Sequence, residues 1–305
     1  MSLHPKPKRK PVAKLATNPA PMPEPAKPRP SWKKRLWGWL WRFLLVFVLV
    51  LGLLLLGIYA TQPRYYNVLI IGSDQRNTEH ARSDVLMIAS IPKSGNDKLS
   101  LTTVPRDTKI DHPEKGLQKI THFYAMWEDK NEYLGNHVLT QTVVEALLDI
   151  KINSSVEVTF ESFDEIVNLV GGVDTSQGHL TGKQAEELVH NRFVQPNGDF
   201  GRTAAQREIL ADLLKKFKQP ANARKLRDYF NTTKRARLTV NPVSAGLFGL
   251  AYLLGHFGQI NLNNINEVVL PGESKRIYTP DFNKSLYYWI LDMDKTNELV
   301  KQYLK

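Results

Sequence analysis

The run "FLLVFVLVLGLLLLGIYA", Phe43–Ala60, constrains this chain more than any other stretch. It passes 18 residues without a charge, and Leu36–Trp41 extend the apolar character beyond Arg42. At 1.5 Å rise per residue, about 20 apolar residues cross a hydrocarbon layer. Trp32, Trp37, Trp39 and Trp41 cluster at the basic end and Tyr59, Tyr65 and Tyr66 at the other, as interfacial aromatic belts do. A cleaved signal peptide is the competing reading. Its apolar region is normally about 7–15 residues long and ends at a small-x-small site, for which "GIYATQ" is a poor match. The expectation is a retained single-pass anchor.

Charge sets the direction of that anchor. Residues 1–36 hold ten Lys or Arg against one acid, Glu24, and Arg42 adds another cation. Of the formal net charge of +11, only +1 remains for everything after Arg42. The positive-inside rule then puts the N-terminus in the cytoplasm and the C-terminal domain outside the cell membrane. The expected organisation is a disordered, basic, Pro-rich cytoplasmic tail over 1–36, a transmembrane helix over 37–60 and an extracellular domain over 65–305. A nearly neutral body lacks a phosphate-tracking face, so no nucleic-acid partner is expected. The tail is expected to meet anionic membrane lipid or cytoplasmic partners instead. With no cysteine in 305 residues, a disulfide framework, a thiolate metal site and a thiol nucleophile are all excluded.

The body reads as mixed strands and helices. "YYNVLIIGSD" contains a buried strand, Asn67–Ile71, and "DVLMIASI" a second, Val85–Ile91. A turn, "PKSGNDK", leads into a third strand, "LSLTTV", which makes an antiparallel hairpin with the second. Helical spacing follows in "LTQTVVEALLDI", a strand in "VEVTF", and helices with capping boxes at Ser162/Glu165 and Thr181/Gln184. "RTAAQREILADLLKKF" reads as a long helix with Thr203 as N-cap and Gln206 at its third position. Helices and short strands then alternate to the C-terminus. The fold class expected is α/β: a layered α/β/α domain with a central mixed β-sheet, preceded by one transmembrane helix.

The hairpin places chemistry on one edge. Arg82 and Asp84 precede its first strand, and Arg106 and Asp107 follow its second, so all four share an edge. Asp74 and Arg76 join them if Asn67–Ile71 runs parallel to the third strand. Asp199 and Arg202 lie before the long helix and Arg192 at the end of the helix before it; a helix N-terminus with loop charges is a ready anion site. Several arginines suit the bidentate geometry of phosphate oxygens, and interspersed aspartates suit a hard divalent ion such as Mg²⁺. The chemistry implied is phosphoryl transfer from a pyrophosphate, with a carboxylate taking a proton. The alternative is a set of loop ion pairs that hold strand ends together.

"NVLIIGSDQR", "ARSDVLMIASI", "LTTVPRDT", "KITHFYA", "VEVTFESFDEIVNLVGGVD" and "GDFGRTAAQ" together resemble the LytR-CpsA-Psr family, over roughly residues 65–300. The resemblance implies a membrane-anchored phosphotransferase. Such an enzyme takes a glycopolymer, teichoic-acid- or capsule-like, from a polyprenyl-pyrophosphate carrier and joins it to peptidoglycan through a phosphodiester. It also implies Mg²⁺ and an apolar groove for the polyprenyl tail. Carried over motif by motif, it makes Arg82, Arg106 and Arg202 the pyrophosphate clamp. Lys119 and Arg192 are further contacts, as is Gln206 unless it serves only as the third residue of a capping box. Asp74 and Asp84 are the acidic side, one or both on the metal, and Arg76 joins the pyrophosphate set from the charged edge. Two positions depart from the family pattern: Val194 and Ala205 stand where basic residues are usual. A two-residue shift turns a helical side chain by about 200°, so Arg207 is no substitute for a cation at 205. If the only change is a lost cation, Ala205→Arg should strengthen pyrophosphate binding. The departures keep two other readings open: a weakly active or non-catalytic module that binds polyprenyl phosphate and wall, and a membrane-tethered envelope regulator.

Overall fold

The computed structural model describes residues 32–74, 82–126, 134–190, 199–256, 265–279 and 283–305. The chain forms two compact units, Met1–Gly52 and Leu53–Lys305. Within the first, the described part is a single apolar helix, α1 (Trp32–Thr61), which runs on into the second. It begins inside the stretch expected as tail, and its Arg35–Thr61 portion is long and apolar enough to cross a membrane.

The second unit continues with β1 (Tyr65–Ser73), β2 (Ser83–Pro92), β3 (Ser100–Thr103), β4 (Lys109–His112), β5 (Gly116–Lys119), α2 (His122–Ala125), α3 (His137–Leu148) and β6 (Ser154–Thr159). Next come α4 (Phe160–Leu169), β7 (Val173–Thr175), β8 (Gly178–Leu180), α5 (Gly182–His190), α6 (Asp199–Phe217), α7 (Pro220–Thr232) and β9 (Ala236–Val240). The chain closes with α8 (Pro242–Gly255), β10 (Asn266–Val269), β11 (Gly272–Thr279), β12 (Lys284–Leu291) and α9 (Met293–Tyr303).

Six strands form the central sheet in the order β10-β3-β2-β1-β6-β9. β2 is antiparallel to both β1 and β3, whereas β6 is parallel to β1 and β10 to β3. β1 therefore runs in the direction of β3, the condition under which Asp74 joins the charged edge. The sheet is mixed, as expected, and strand alternation splits its residues between two faces.

On one face Leu69, Ile71, Leu86 and Ile88 pack with Phe123, Tyr124, Val143, Val144, Leu148 and Val300, which closes that side with α2, α3 and α9. On the other, Ala89 and Leu101 meet Val68, Ile70, Leu210 and Leu214, so α6 covers part of it. A third cluster, Phe160, Val167, Ala185, Leu188, Ala205 and Ile209, joins α4, α5 and α6. Two caps differ from expectation. α4 starts a turn early, with a box between Thr159 and Ser162 in place of Ser162 and Glu165. α6 starts at Asp199, so Thr203 lies inside the helix and Gln206 is not its third residue. At α4 the Thr159 and Ser162 hydroxyls offer competing caps, and the tertiary entry of the chain chooses between them.

Candidate functional site

One end of the central sheet collects the charged residues because β1 and β3 end there and β2 begins. Gly72 lies opposite Val85, so close that a Cβ on it would sit 2.9 Å from the Val85 Cβ. The register then shifts between Gly72 and Ser73. This bulge re-aims the strand end just before Asp74. Asp74 Oδ1 accepts from the backbone N–H of Arg82 at 3.1 Å, which closes the gap between β1 and β2.

Arg106 does not pair chiefly with its sequence neighbour. Its Nη1 donates to Asp84 Oδ1 at 2.6 Å across the sheet, while Asp107 Oδ2 stands 3.8 Å from its Nε. Asp107 instead accepts from Lys119 Nζ at 2.5 Å, and the Lys119 ammonium lies 5.9 Å from the ring centroids of both Tyr287 and Tyr288. Pro105 and Thr108 shape this corner: Thr108 donates through both N–H and Oγ1 to the Pro105 carbonyl, and Trp289 N–H donates to the Asp107 carbonyl at 2.8 Å. The Arg106, Asp84, Asp107 and Lys119 side chains are all 18–20% exposed. Half-shielded ion pairs of this kind keep charges apart from bulk water yet open to a ligand.

His122, inside "KITHFYA" but given no role from sequence, belongs to this cluster. Burial pushes its imidazole down to about 4, the Arg82 and Lys119 cations push the same way, and Asp107 opposes them. Its Nδ1 lies 2.9 Å from Gln118 Oε1. The signal available in the sequence was its place three residues after Lys119, at a strand-to-helix junction.

Of the residues expected here, Asp74, Arg82, Asp84, Arg106 and Lys119 converge on the edge. Asp199 and Arg202 fall in the first turn of α6; Arg76, Arg192 and Val194 lie outside the described residues. Gln206 lines the groove beside the edge and donates weakly to the Val189 carbonyl at 3.5 Å. Ala205 turns away, 6% exposed within the α4–α5–α6 cluster. Arg207 faces a third direction and pairs with Glu267 at 2.9 Å.

No group of three or more His, Cys, Asp or Glu gathers among the described residues. Asp74 and Asp84, expected as the acidic side, each accept through Oδ1 in the bonds described above. Two carboxylates completed by phosphate oxygens and water fit Mg²⁺, which seldom takes an all-protein cage.

Below the edge runs an apolar groove of about 250 Å³ on the α6 side of the sheet. Gly72 and Val85 line its charged end, Ile91 and Leu99 its far end, and Val156, Leu210 and Phe230 its walls. From Val85 to Ile91 along β2 the distance is roughly 20 Å at about 3.4 Å per residue.

The sequence matches the LytR_cpsA_psr family over residues 60–178 and 175–305. The chain belongs to this family. A polyisoprenyl-teichoic acid–peptidoglycan teichoic acid transferase TagU from Bacillus cereus is 36% identical over 167 residues, 49% of this chain and 52% of the relative. The chain thus spans about half the length of the Bacillus TagU relatives it matches. TagU from Oceanobacillus iheyensis is 26% identical over 76% of this chain and 73% of its own length. The structure of TagT bound to LI-WTA shares the fold, with a TM-score of 0.57 at 23% identity over 80% of this chain and 90% of that one.

Proposed function

We propose that this LytR-CpsA-Psr member is a phosphotransferase that moves a teichoic-acid- or capsule-like glycopolymer from a polyprenyl-pyrophosphate carrier to peptidoglycan. The observation that carries the reading is the adjacency of groove and edge: Gly72 and Val85, which line one end of the apolar groove, stand within two residues of Asp74 and Asp84 in the chain, and Asp84 pairs with Arg106. The names of the TagU relatives support the substrate class. The tail before α1 is cytoplasmic in this reading, α1 is the anchor, and the domain over 65–305 faces the wall.

In this mechanism Arg82, Arg106 and Lys119, with Arg202 from α6, bind and orient the pyrophosphate. An acceptor hydroxyl of peptidoglycan attacks the phosphorus that carries the glycopolymer. The new P–O bond completes the phosphodiester as the bond to the bridging oxygen breaks, and polyprenyl phosphate leaves. The hydroxyl proton passes to Asp74 or Asp84. Mg²⁺ held by the same aspartates would supply neutralisation of the phosphate oxygens. Before substrate arrives, Asp84 and Asp107 keep Arg106 and Lys119 extended toward the edge, which lowers the ordering cost of binding.

Full-length protein, a short-chain polyprenyl-pyrophosphate glycan and peptidoglycan fragments test the reading. Arg106→Ala should lower transfer about tenfold to a hundredfold, the loss of one charge-assisted contact. Its thermal midpoint should stay within a few degrees if the Asp84 pair, which solvent still reaches, contributes little to stability. If Arg106→Ala unfolds the domain and Arg106→Lys restores everything, the arginine is a strand clamp. Wild-type binding of the lipid without transfer would favour the binding-module reading.

A further inference from the structure

We propose that α8 is a second membrane contact, lying in the lipid surface beside the point where α1 leaves the bilayer. The inference rests on the reading of α1 as a membrane span. No residue of "PVSAGLFGLAYLLG" is charged. Phe248 and Ala251 turn inward and are buried, and Phe248 packs on Tyr66 with ring centroids 4.9 Å apart. An adjoining side, Val243, Leu247 and Leu254, lies about 90° round the helix from them, repeats at helical spacing and is 69%, 38% and 39% exposed. Leu253, 50% exposed, widens this stripe. A stripe this large and apolar on a domain surface marks a contact with something apolar.

The contacts of α8 with α1 identify the occupant as lipid. The C-terminal Gly255 approaches so closely that a Cβ there would lie 2.1 Å from the Lys93 carbonyl oxygen and 3.2 Å from the Tyr59 ring. Lys93 Nζ donates to the carbonyls of Tyr59 and Gln62 at 2.9 and 2.7 Å, satisfying the end of α1. It also sits 4.6 Å from the Tyr59 ring centroid. Nearby, Arg64 stacks over Tyr65 and pairs with Asp97. Lys, Arg and Tyr at the end of an apolar helix are residues of the headgroup layer. α8 is therefore tied to that layer at its C-terminus, with its apolar stripe free, and a helix so placed lies in plane at the interface. A cavity of about 510 Å³ beneath α8 shares Ile91, Leu99, Leu214 and Phe217 with the groove. The groove's far end thus opens at the lipid-facing helix.

Because the chain has no cysteine, single reporters are unambiguous. Full-length V243C and L254C, with L53C in α1 and E114C at the β4–β5 turn as references, are labelled with a polarity-sensitive fluorophore. They are then reconstituted in phosphatidylcholine–phosphatidylglycerol vesicles. Expected: V243C and L254C lose most of their emission to spin-labelled lipid and little to aqueous iodide, as L53C does, while E114C does the reverse. If L53C is lipid-quenched but the α8 reporters answer to iodide, the proposal fails and the membrane-span reading stands. If L53C also answers only to iodide, both fail. If the α8 reporters are shielded from both quenchers, protein covers the stripe and the proposal fails.

Discussion

Residues 68 to 71 alternate between two environments within one strand. Leu69 and Ile71 are fully buried against α2, α3 and α9, whereas Val68 and Ile70 are half-covered and look into the groove. The closed face also buries a polar network at its charged end. Glu157, fully buried, accepts from the Tyr124 hydroxyl at 3.3 Å and lies 3.2 Å from His137 Nδ1 and 3.6 Å from Arg237 Nη1. Burial and the Glu157 carboxylate raise the Tyr124 phenol, which also bonds Ser73 at the start of the bulge. So the closed face is a scaffold that holds the bulge and the Asp74 backbone rigid, and the open face has left a slot beside it. The lesson is that one apolar run can serve stability on one side and a ligand on the other.

The contrast can be broken most severely from the closed side. Phe123→Ala removes a fully buried ring and should cost about 3–5 kcal/mol, lowering the thermal midpoint by roughly 10 °C at about 2–4 °C per kcal/mol. Its groove counterpart, Ile70→Ala, should cost only about 1 kcal/mol because its side chain is half-covered to begin with, yet it should weaken binding of a polyprenyl lipid. Equal destabilisation by the two would mean that the groove is core.

Ala205→Arg comes next. The family pattern alone invites this substitution as a repair of the anion site. In the structure it drives a cation into the α4–α5–α6 cluster, so a loss of about 1–3 kcal/mol or more is expected, with no gain in pyrophosphate binding. A stable variant that binds a soluble polyprenyl pyrophosphate more tightly would place position 205 in the site after all.

The smallest effect is the pH response of His122. Its unfolded-state pKa is about 6.5 and its folded-state value about 4, so between these the unfolded chain binds more protons. Its contribution is fully present above pH 6.5 and is lost as pH falls toward 4. Because the ring keeps part of its water, the loss is on the order of 1 kcal/mol. The thermal midpoint of His122→Gln should therefore fall less between pH 6.5 and 4 than that of wild type. A parallel pH curve for the two would remove His122 from the charged edge.

The edge was largely legible beforehand. Arg82, Asp84 and Arg106 are placed by hairpin geometry alone, and Asp74 by the direction of β1. Partnership was not legible: Arg106 chose Asp84 over the adjacent Asp107, because the bond crosses the sheet and depends on register. His122 was missed for the same reason, since its cations arrive from Arg82, just before β2, and from Lys119 in β5. The cap of α4 was misplaced because Thr159 and Ser162 offer equivalent local bonds.

The membrane-crossing length of α1, the absence of thiol chemistry, the strands of the central sheet and the family motifs follow from the residues themselves, through hydrophobic run length, composition and local spacing. Which face of an apolar strand is sealed, which way Ala205 points and where the exposed stripe of α8 comes to rest follow from contacts between segments distant in the chain. Those contacts are made by non-directional apolar burial, which any suitably shaped neighbour satisfies. The choice among neighbours is therefore made only when the whole fold closes.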